Sequence, residues 1–131
     1  MTPETRKMLA RAVDKPTVAE ILLDNGAWDD AASRAYYAAF HAITALLFSN
    51  GKSYSSHAQL LGAFNRDFVK SQVFHRDFTA ILTRLFEDRQ SGDDDIFATI
   101  SEHDARLDVA NARRIVESIQ RYLQKPPPSE P

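Results

Sequence analysis

An alanine-rich apolar segment in the first half of the chain limits the folds that this sequence can adopt. Between residues 31 and 48 nearly every position is apolar, and the many alanines permit close approach of helix backbones. The low-charge stretch at residues 35–50 is shorter than the roughly 20 apolar residues that a membrane span needs. We therefore interpret residues 28–49 as a central helix that is buried in a protein core.

Capping and breaking residues divide the rest of the chain into further helices. Thr2-Pro3 predicts a helix start, and Pro16 either bends this first helix or divides it in two. Apolar residues at helical spacing predict a third helix at about 57–70, a fourth from about residue 72 or 76 to 91, and a fifth from Ser101, as cap, to about 124. Residues 92–95 are expected to form a loop. Because no strand-like alternation appears, the sequence predicts an all-α protein.

Composition sets the size and the environment of this fold. With 131 residues, 44% of them apolar, the chain suits one domain, which we place at residues 1–124, before a disordered Pro-rich tail at 125–131. No cysteine is present, and the charged residues 1–11 contain no apolar core of a signal peptide. We expect a cytoplasmic protein with no membrane span. Since the net charge is -2, any RNA site must be local.

Four polar residues stand out on the central helix. Arg34, Tyr37, His41 and Thr44 are spaced three, four and three apart, so they share one face. Together they could bind a phosphate and supply a group that titrates near neutral pH. The alternative is that this face only meets solvent or a second copy of the chain, as one face of most helices does.

The chain carries no recognisable metal or cofactor motif. The acidic run at residues 93–95 lacks the alternating ligands and final glutamate of a calcium loop, and we interpret it as a solvated acidic loop. The four histidines have no cysteine partners and no pair at ligand spacing. No glycine-rich phosphate loop is present either. We therefore expect neither a metal nor a cofactor.

The central helix also carries a family resemblance. Its residues 31–42, Ala-Ala-Ser-Arg-Ala-Tyr-Tyr-Ala-Ala-Phe-His-Ala, followed by Ala45-Leu-Leu, Gly51 and His57, resemble the signature of small stand-alone HEPN proteins of prokaryotes. The stretch Arg89-Gln-Ser-Gly-Asp93 is similar to the family's Arg-x-x-Ala-Asp-Tyr. This resemblance covers about residues 19–123. It implies an up-and-down bundle of four to five helices, usually a homodimer, often encoded beside a minimal nucleotidyltransferase as a toxin-antitoxin pair.

The resemblance also locates a catalytic motif that this chain only partly keeps. In the ribonuclease branches of the family, an Arg at the end of the fourth helix is followed by a His, with four to six residues between the two. The Arg would stabilise charge on the phosphate, and the His would move the proton of the 2'-hydroxyl. Counting from Arg89, those positions are Asp94, Asp95 and Ile96. The His is missing, and Asp94 also replaces the family's Tyr.

Three functional hypotheses follow. The preferred one is a HEPN-like dimer that acts as a binding module, paired with a nucleotidyltransferase or binding a nucleotide or RNA. Its expected binding residues are Arg34, Tyr37, His41, Thr44, Arg89 and Asp93. The alternative is a metal-independent endoribonuclease toxin in which Arg89 holds phosphate and His41 or His103 moves the proton. The third keeps only a helical bundle with Trp28, Tyr36 and Tyr37 as anchors for a partner.

Overall fold

The computed structural model describes residues 1–94 and 99–125, and every regular element in these ranges is helical. The all-α bundle that the sequence predicts is therefore confirmed. In chain order the helices are α1 (Pro3–Val13), α2 (Lys15–Asp24), α3 (Trp28–Ser49), α4 (His57–Phe64), a π-helical turn (Asn65–Val69), α5 (Phe78–Asp94) and α6 (Glu102–Gln124). Of the predicted tail at residues 125–131, only Lys125 belongs to the described residues.

Side-chain caps begin three of these helices, and two of the caps, Thr2 and Ser101, are those that the sequence predicts. The side-chain oxygens of Thr2, Ser56 and Ser101 each accept a hydrogen bond from the backbone N–H three residues further on. Such caps satisfy amide groups that have no partner inside the helix. At Ser101 only half of a capping box forms, because the Asp104 carboxylate binds Arg84 instead.

The first helical segment is divided in two. α1 ends at Val13, and α2 begins at Lys15 with Pro16 in its first turn. A proline in this position is favourable, because its missing N–H would have no partner there in any case. Of the two arrangements that the sequence allowed, the structure therefore shows two short helices.

Helix α3 is the centre of the bundle and packs against each of the five other α-helices in the described ranges. Its bounds, Trp28–Ser49, are those that the sequence predicts. Alanines provide much of its contact surface, and those with no exposed area are Ala31, Ala35, Ala38, Ala39, Ala42 and Ala45. Larger residues such as Leu46 fill the remaining space, and burying one leucine contributes roughly 1.5–3 kcal/mol.

Two helices have boundaries that differ from the prediction. The fourth predicted helix, α5, begins only at Phe78 and then continues through Gly92 to Asp94, so the loop expected at 92–94 is wrong. One glycine costs a helix only about 1 kcal/mol relative to alanine, which is too little to end it. Residue 95 lies outside the described residues. The third predicted helix is α-helical to Phe64 and continues as the π-helical turn to Val69.

Among the described helices, none combines the length and the apolar character needed to cross a membrane. The core instead lies between α3 and its neighbours, where Phe64, Leu85 and Ile115 are almost completely buried. The helices around α3 therefore determine which of its side chains reach the surface.

Candidate functional site

Arg89 connects the end of α5 to the middle of α3. Its Nη2 donates to the hydroxyl of Tyr37 over 2.7 Å. Its Cζ also lies 5.1 Å from the ring centroid of Tyr36 and 5.0 Å from that of Tyr37. Both distances are short enough for attraction between a cation and an aromatic face. The guanidinium is therefore held by two rings and a phenol.

The helix geometry of α3 explains how two consecutive tyrosines meet one arginine. Neighbouring helix residues point about 100° apart, so one can face the core while the next faces its margin. Tyr36 is 6% exposed and Tyr37 is half-buried. Their ring centroids lie 5.2 Å apart, and the ring planes form an angle of 68°. Arg89 rests at this margin and is itself half-buried.

The neighbouring histidine on this margin is His57, the first residue of α4. Its Nδ1 lies 3.2 Å from the Tyr36 hydroxyl, and its ring stacks on Phe86 with centroids 3.9 Å apart. Burial and the nearby positive charge of Arg89 lower the pKa of His57 below its usual value. The neutral imidazole is therefore favoured near pH 7. We call Arg89, Tyr36, Tyr37, His57 and Phe86 the arginine–tyrosine cluster.

An open groove with a volume of about 490 Å³ borders this cluster at Tyr37. Lys15 and Arg34 line it, with Asp30 as the acidic residue among its described lining. We call it the basic groove. Close by, His41 stacks on Tyr37 with centroids 6.1 Å apart. The pKa of His41 is lowered, first by burial and then by the positive charges of Lys15 and Arg11. This surface therefore carries a local positive potential on a chain whose net charge is -2.

The remaining predicted site residues lie in different environments, and only some of them come together. Thr44 is half-buried and its hydroxyl donates to the Phe40 carbonyl over 2.8 Å, so that donor is already used within the helix. His103 is exposed in the first turn of α6. Asp93 belongs to the last turn of α5, and its side chain lies outside the description. Arg34, Tyr37, His41 and Arg89 do converge, with Tyr37 or its groove as the common neighbour.

A buried carboxyl group of α6 lies beside Arg84 and Asp88 of α5. Asp108 of α6 is 1% exposed, and one of its oxygens lies 3.6 Å from Nε of Arg84. Arg84 also lies 3.6 Å from Asp88 and 2.7 Å from Asp104. Burial and the neighbouring Asp88 carboxyl raise the pKa of Asp108 to about 8. Among the described residues no group of three His, Asp or Glu side chains is arranged to hold a metal ion.

Comparison with known proteins identifies the family. The sequence model of the HEPN domain matches residues 5–122, which is most of the chain. The chain belongs to the HEPN family. A UPF0332 protein of Thermotoga maritima is 32% identical over 81% of this chain and 80% of its own length. A Methanocaldococcus jannaschii protein named "putative toxin" is 27% identical over 93% of this chain and 90% of its own length.

The structure shows one contact that the sequence pattern does not predict. Arg89, which the resemblance relates to the family's arginine, lies near the end of α5, and no histidine follows it at the expected spacing. His57 comes instead from α4 and contacts the same cluster through Tyr36 and Phe86. A signal for His57 was present, because it belongs to the residues that carry the family resemblance. The contacts of His57 with Tyr36 and Phe86 depend on the packing of α4 on α5. Residue spacing along the chain does not predict this packing.

Proposed function

We propose that this HEPN protein is a toxin-type, dimeric binding module that holds an RNA phosphate at the arginine–tyrosine cluster. The observation that carries the proposal is the position of Arg89, fixed by the rings of Tyr36 and Tyr37 at the edge of the basic groove. Arginine binds phosphate oxygens through two parallel hydrogen bonds, and a guanidinium held in place loses less entropy when it does so.

The charges around the cluster support an anionic ligand. Lys15 and Arg34 line the groove beside Tyr37, and both Lys15 and Arg11 are close enough to lower the pKa of His41. Three cations therefore join Arg89 on this surface. An RNA strand would gain several phosphate contacts at this surface. Without these local positive charges, the weakly negative chain would repel the RNA.

The biological setting is also part of the proposal. Relatives from Methanocaldococcus jannaschii carry the name "putative toxin", and the match to them spans most of this chain. We infer that the protein forms a homodimer in the cytoplasm and pairs with a minimal nucleotidyltransferase as a toxin-antitoxin system. In this proposal residues 1–124 form one domain that carries the whole site.

The proposal is tested by RNA binding of the purified protein. Fluorescence anisotropy with a labelled 12-nucleotide RNA should show at least tenfold weaker binding for Arg89→Ala, since a lost charged hydrogen bond costs about 1.5–3 kcal/mol. Arg106→Ala, which removes an exposed arginine that pairs with Glu102 and is not among the described residues lining the basic groove, is the matched control. Equal affinity of the two variants would contradict an Arg89 phosphate site, and a monomer in light scattering at micromolar concentration would contradict the dimer.

A second candidate function is a metal-independent endoribonuclease, and the placement of His57 favours it. When Nδ1–H of His57 donates to the Tyr36 hydroxyl oxygen, Nε2 is free to accept a proton. The lowered pKa of His57 keeps that nitrogen available near pH 7. The 2'-hydroxyl of the RNA would lose its proton to His57 and attack the adjacent phosphorus. The bond from phosphorus to the 5'-oxygen would break, and that oxygen would take up a proton from water. Arg89 would stabilise the charge that develops on the phosphate.

Cleavage of total RNA in the presence of a chelator separates the two candidates. An endoribonuclease should produce 2',3'-cyclic phosphate ends, and the activity should disappear in His57→Ala. His41→Ala tests the other histidine beside the cluster, and His103→Ala, on the exposed start of α6, is the control. RNA binding without cleavage by the unmodified protein would leave the binding module as the function.

A further inference from the structure

A second groove lies at the opposite end of α5 from Arg89. It has a volume of about 570 Å³ and is bounded by residues 73–75 before α5 and by the last turns of α6. Phe78, at the start of α5, lies eleven residues before Arg89, which is about 16 Å along a helix. We call this the distal groove. Among the described residues, neither the basic groove nor the arginine–tyrosine cluster shares a residue with it.

Three cations line the α6 side of the distal groove. Arg114 and Arg121 are seven residues apart, so they lie on one face of the helix, and Lys125 follows directly after its last residue. None of the described residues that line this groove is acidic. Arg114 binds Asp77 at the rim, with 2.8 Å and 3.2 Å from its Nη1 and Nη2 to the two carboxylate oxygens. Arg121 instead donates to the Ser118 hydroxyl at 3.4 Å.

Aromatic and apolar side chains lie directly beside these cations. Tyr122 is 39% exposed, and its ring centroid lies 5.6 Å from that of Phe74 and 5.8 Å from that of Phe68. Val73, on the opposite side, is 44% exposed. The rings below hold Tyr122 in place while part of its surface remains open. The groove therefore combines a fixed aromatic platform with a row of positive charge.

The loop that forms the other side of the distal groove is fixed by unusual backbone geometry. Gln72 has a φ of 66°, a left-handed conformation that residues other than glycine adopt rarely. The N–H of Phe74 donates to the Phe68 carbonyl over 3.0 Å, which ties the loop to the π-helical turn. Strained residues and π-helical turns are enriched at functional sites, because the surrounding structure must maintain them.

We propose that the distal groove binds single-stranded RNA. Phosphates would lie along Arg114, Arg121 and Lys125, and a base would stack on Tyr122. Proteins that bind single strands without sequence preference combine these two elements, a cationic track and aromatic platforms. An acidic peptide fits less well, because a helix face offers no free backbone N–H or C=O groups for pairing with an extended chain. The proposal requires no contact with Arg89.

The test measures binding of a labelled 12-nucleotide RNA at several salt concentrations. Arg121→Ala/Lys125→Ala should weaken binding and reduce the slope of log K against log salt by about 1.4, since each phosphate contact on a single strand contributes about 0.7. Arg6→Ala/Arg106→Ala removes the same charge from exposed positions on α1 and the first half of α6 and is the matched control. Tyr122→Leu keeps apolar volume against Phe68 and Phe74 and should weaken binding about tenfold through lost stacking.

Comparison with Arg89→Ala distinguishes this proposal from the function proposed above. Loss of affinity in the distal-groove variants but not in Arg89→Ala supports the distal groove alone, and the opposite pattern overturns it. A salt slope for Arg121→Ala/Lys125→Ala equal to that of Arg6→Ala/Arg106→Ala also overturns it. The proposal is also overturned if an oligoglutamate peptide binds more tightly than RNA and if Arg121→Ala/Lys125→Ala loses this peptide binding. Equal thermal unfolding midpoints would show that all four variants fold.

Discussion

Arg89 donates to the Tyr37 hydroxyl over 2.7 Å, across a separation of 52 residues in the chain. This contact directly links the end of α5 to the polar face of α3. Tyr37→Phe removes the acceptor and keeps the ring beneath the guanidinium. We expect the free energy of unfolding to fall by about 1 kcal/mol, because Arg89 loses a partially shielded hydrogen bond. Urea denaturation measures this loss of unfolding free energy. The control is Tyr122→Phe, on the exposed end of α6, which should lose less than about half as much unfolding free energy.

The pKa of His57 should respond to Arg89. Burial and the positive charge of Arg89 both lower this pKa in the folded protein. Removing the charge in Arg89→Ala should therefore move the pKa of His57 upward, toward its ordinary value. An NMR titration of the His57 ring protons measures the shift. Arg121→Ala, at the distal groove, is the charge-matched control, and an equal change in both variants would show that the effect is not local.

The buried Asp108 should make stability depend on pH in one direction. Its folded pKa of about 8 lies above the unfolded value, so the folded state holds a proton that the unfolded state releases. Its contribution to stability is complete below pH 4, decreases by at most about 1.4 kcal/mol per pH unit and is lost above about pH 8.

Asp108→Asn removes this titration and preserves the shape of the protonated carboxyl. The unfolding free energy of Asp108→Asn minus that of the unmodified protein should rise from pH 5 to pH 8 and then become constant, because only the unmodified protein loses this stabilisation. Chemical denaturation at each pH measures it. Asp77→Asn is the contrasting control, because hydrogen bonds from Arg114 lower the pKa of Asp77. A difference that stays constant from pH 5 to 8 would show that Asp108 is ionised throughout.

Two glycines should respond to alanine in opposite directions. Gly51, after α3, has a φ of 77°, and Gly51→Ala should cost about 1 kcal/mol because of backbone strain. Gly62 lies inside α4, and an added Cβ there would meet no other atom within 4 Å. Gly62→Ala should therefore stabilise the protein by about 0.5–1 kcal/mol. Thermal unfolding of both variants measures the pair, and two shifts of the same sign would contradict this account.

Local signals were sufficient for much of the fold. The bounds of α3 follow from its continuous apolar pattern and from the Asn50-Gly51 break, and the starts of α1 and α6 follow from Thr2 and Ser101. The end of α5 did not follow, because one glycine opposes a helix only weakly when tertiary packing supports it. The π-helical turn at Asn65–Val69 likewise has no distinct sequence pattern.

The candidate site was harder to predict, since its residues come from separate helices. Periodicity places Arg34, Tyr37 and His41 on one face of α3, but it contains no information about what packs beside them. Arg89 reaches Tyr37 only because α5 packs on α3, and His57 reaches Tyr36 only because α4 lies over Phe86. Contacts between helices that are far apart in the chain depend on how the helix surfaces pack together, and the pattern of a single sequence does not specify this packing.

The alanines of α3 have a consequence for how this protein tolerates genetic variation. A methyl group is the smallest side chain that still fills space, so any heavier residue at Ala35, Ala38, Ala39 or Ala42 must push a neighbouring helix away. Tyr36 and Tyr37 sit among these positions, and displacement of α5 would separate them from Arg89. In a library of every single substitution, these chemically inert positions should therefore be as intolerant as the arginine itself.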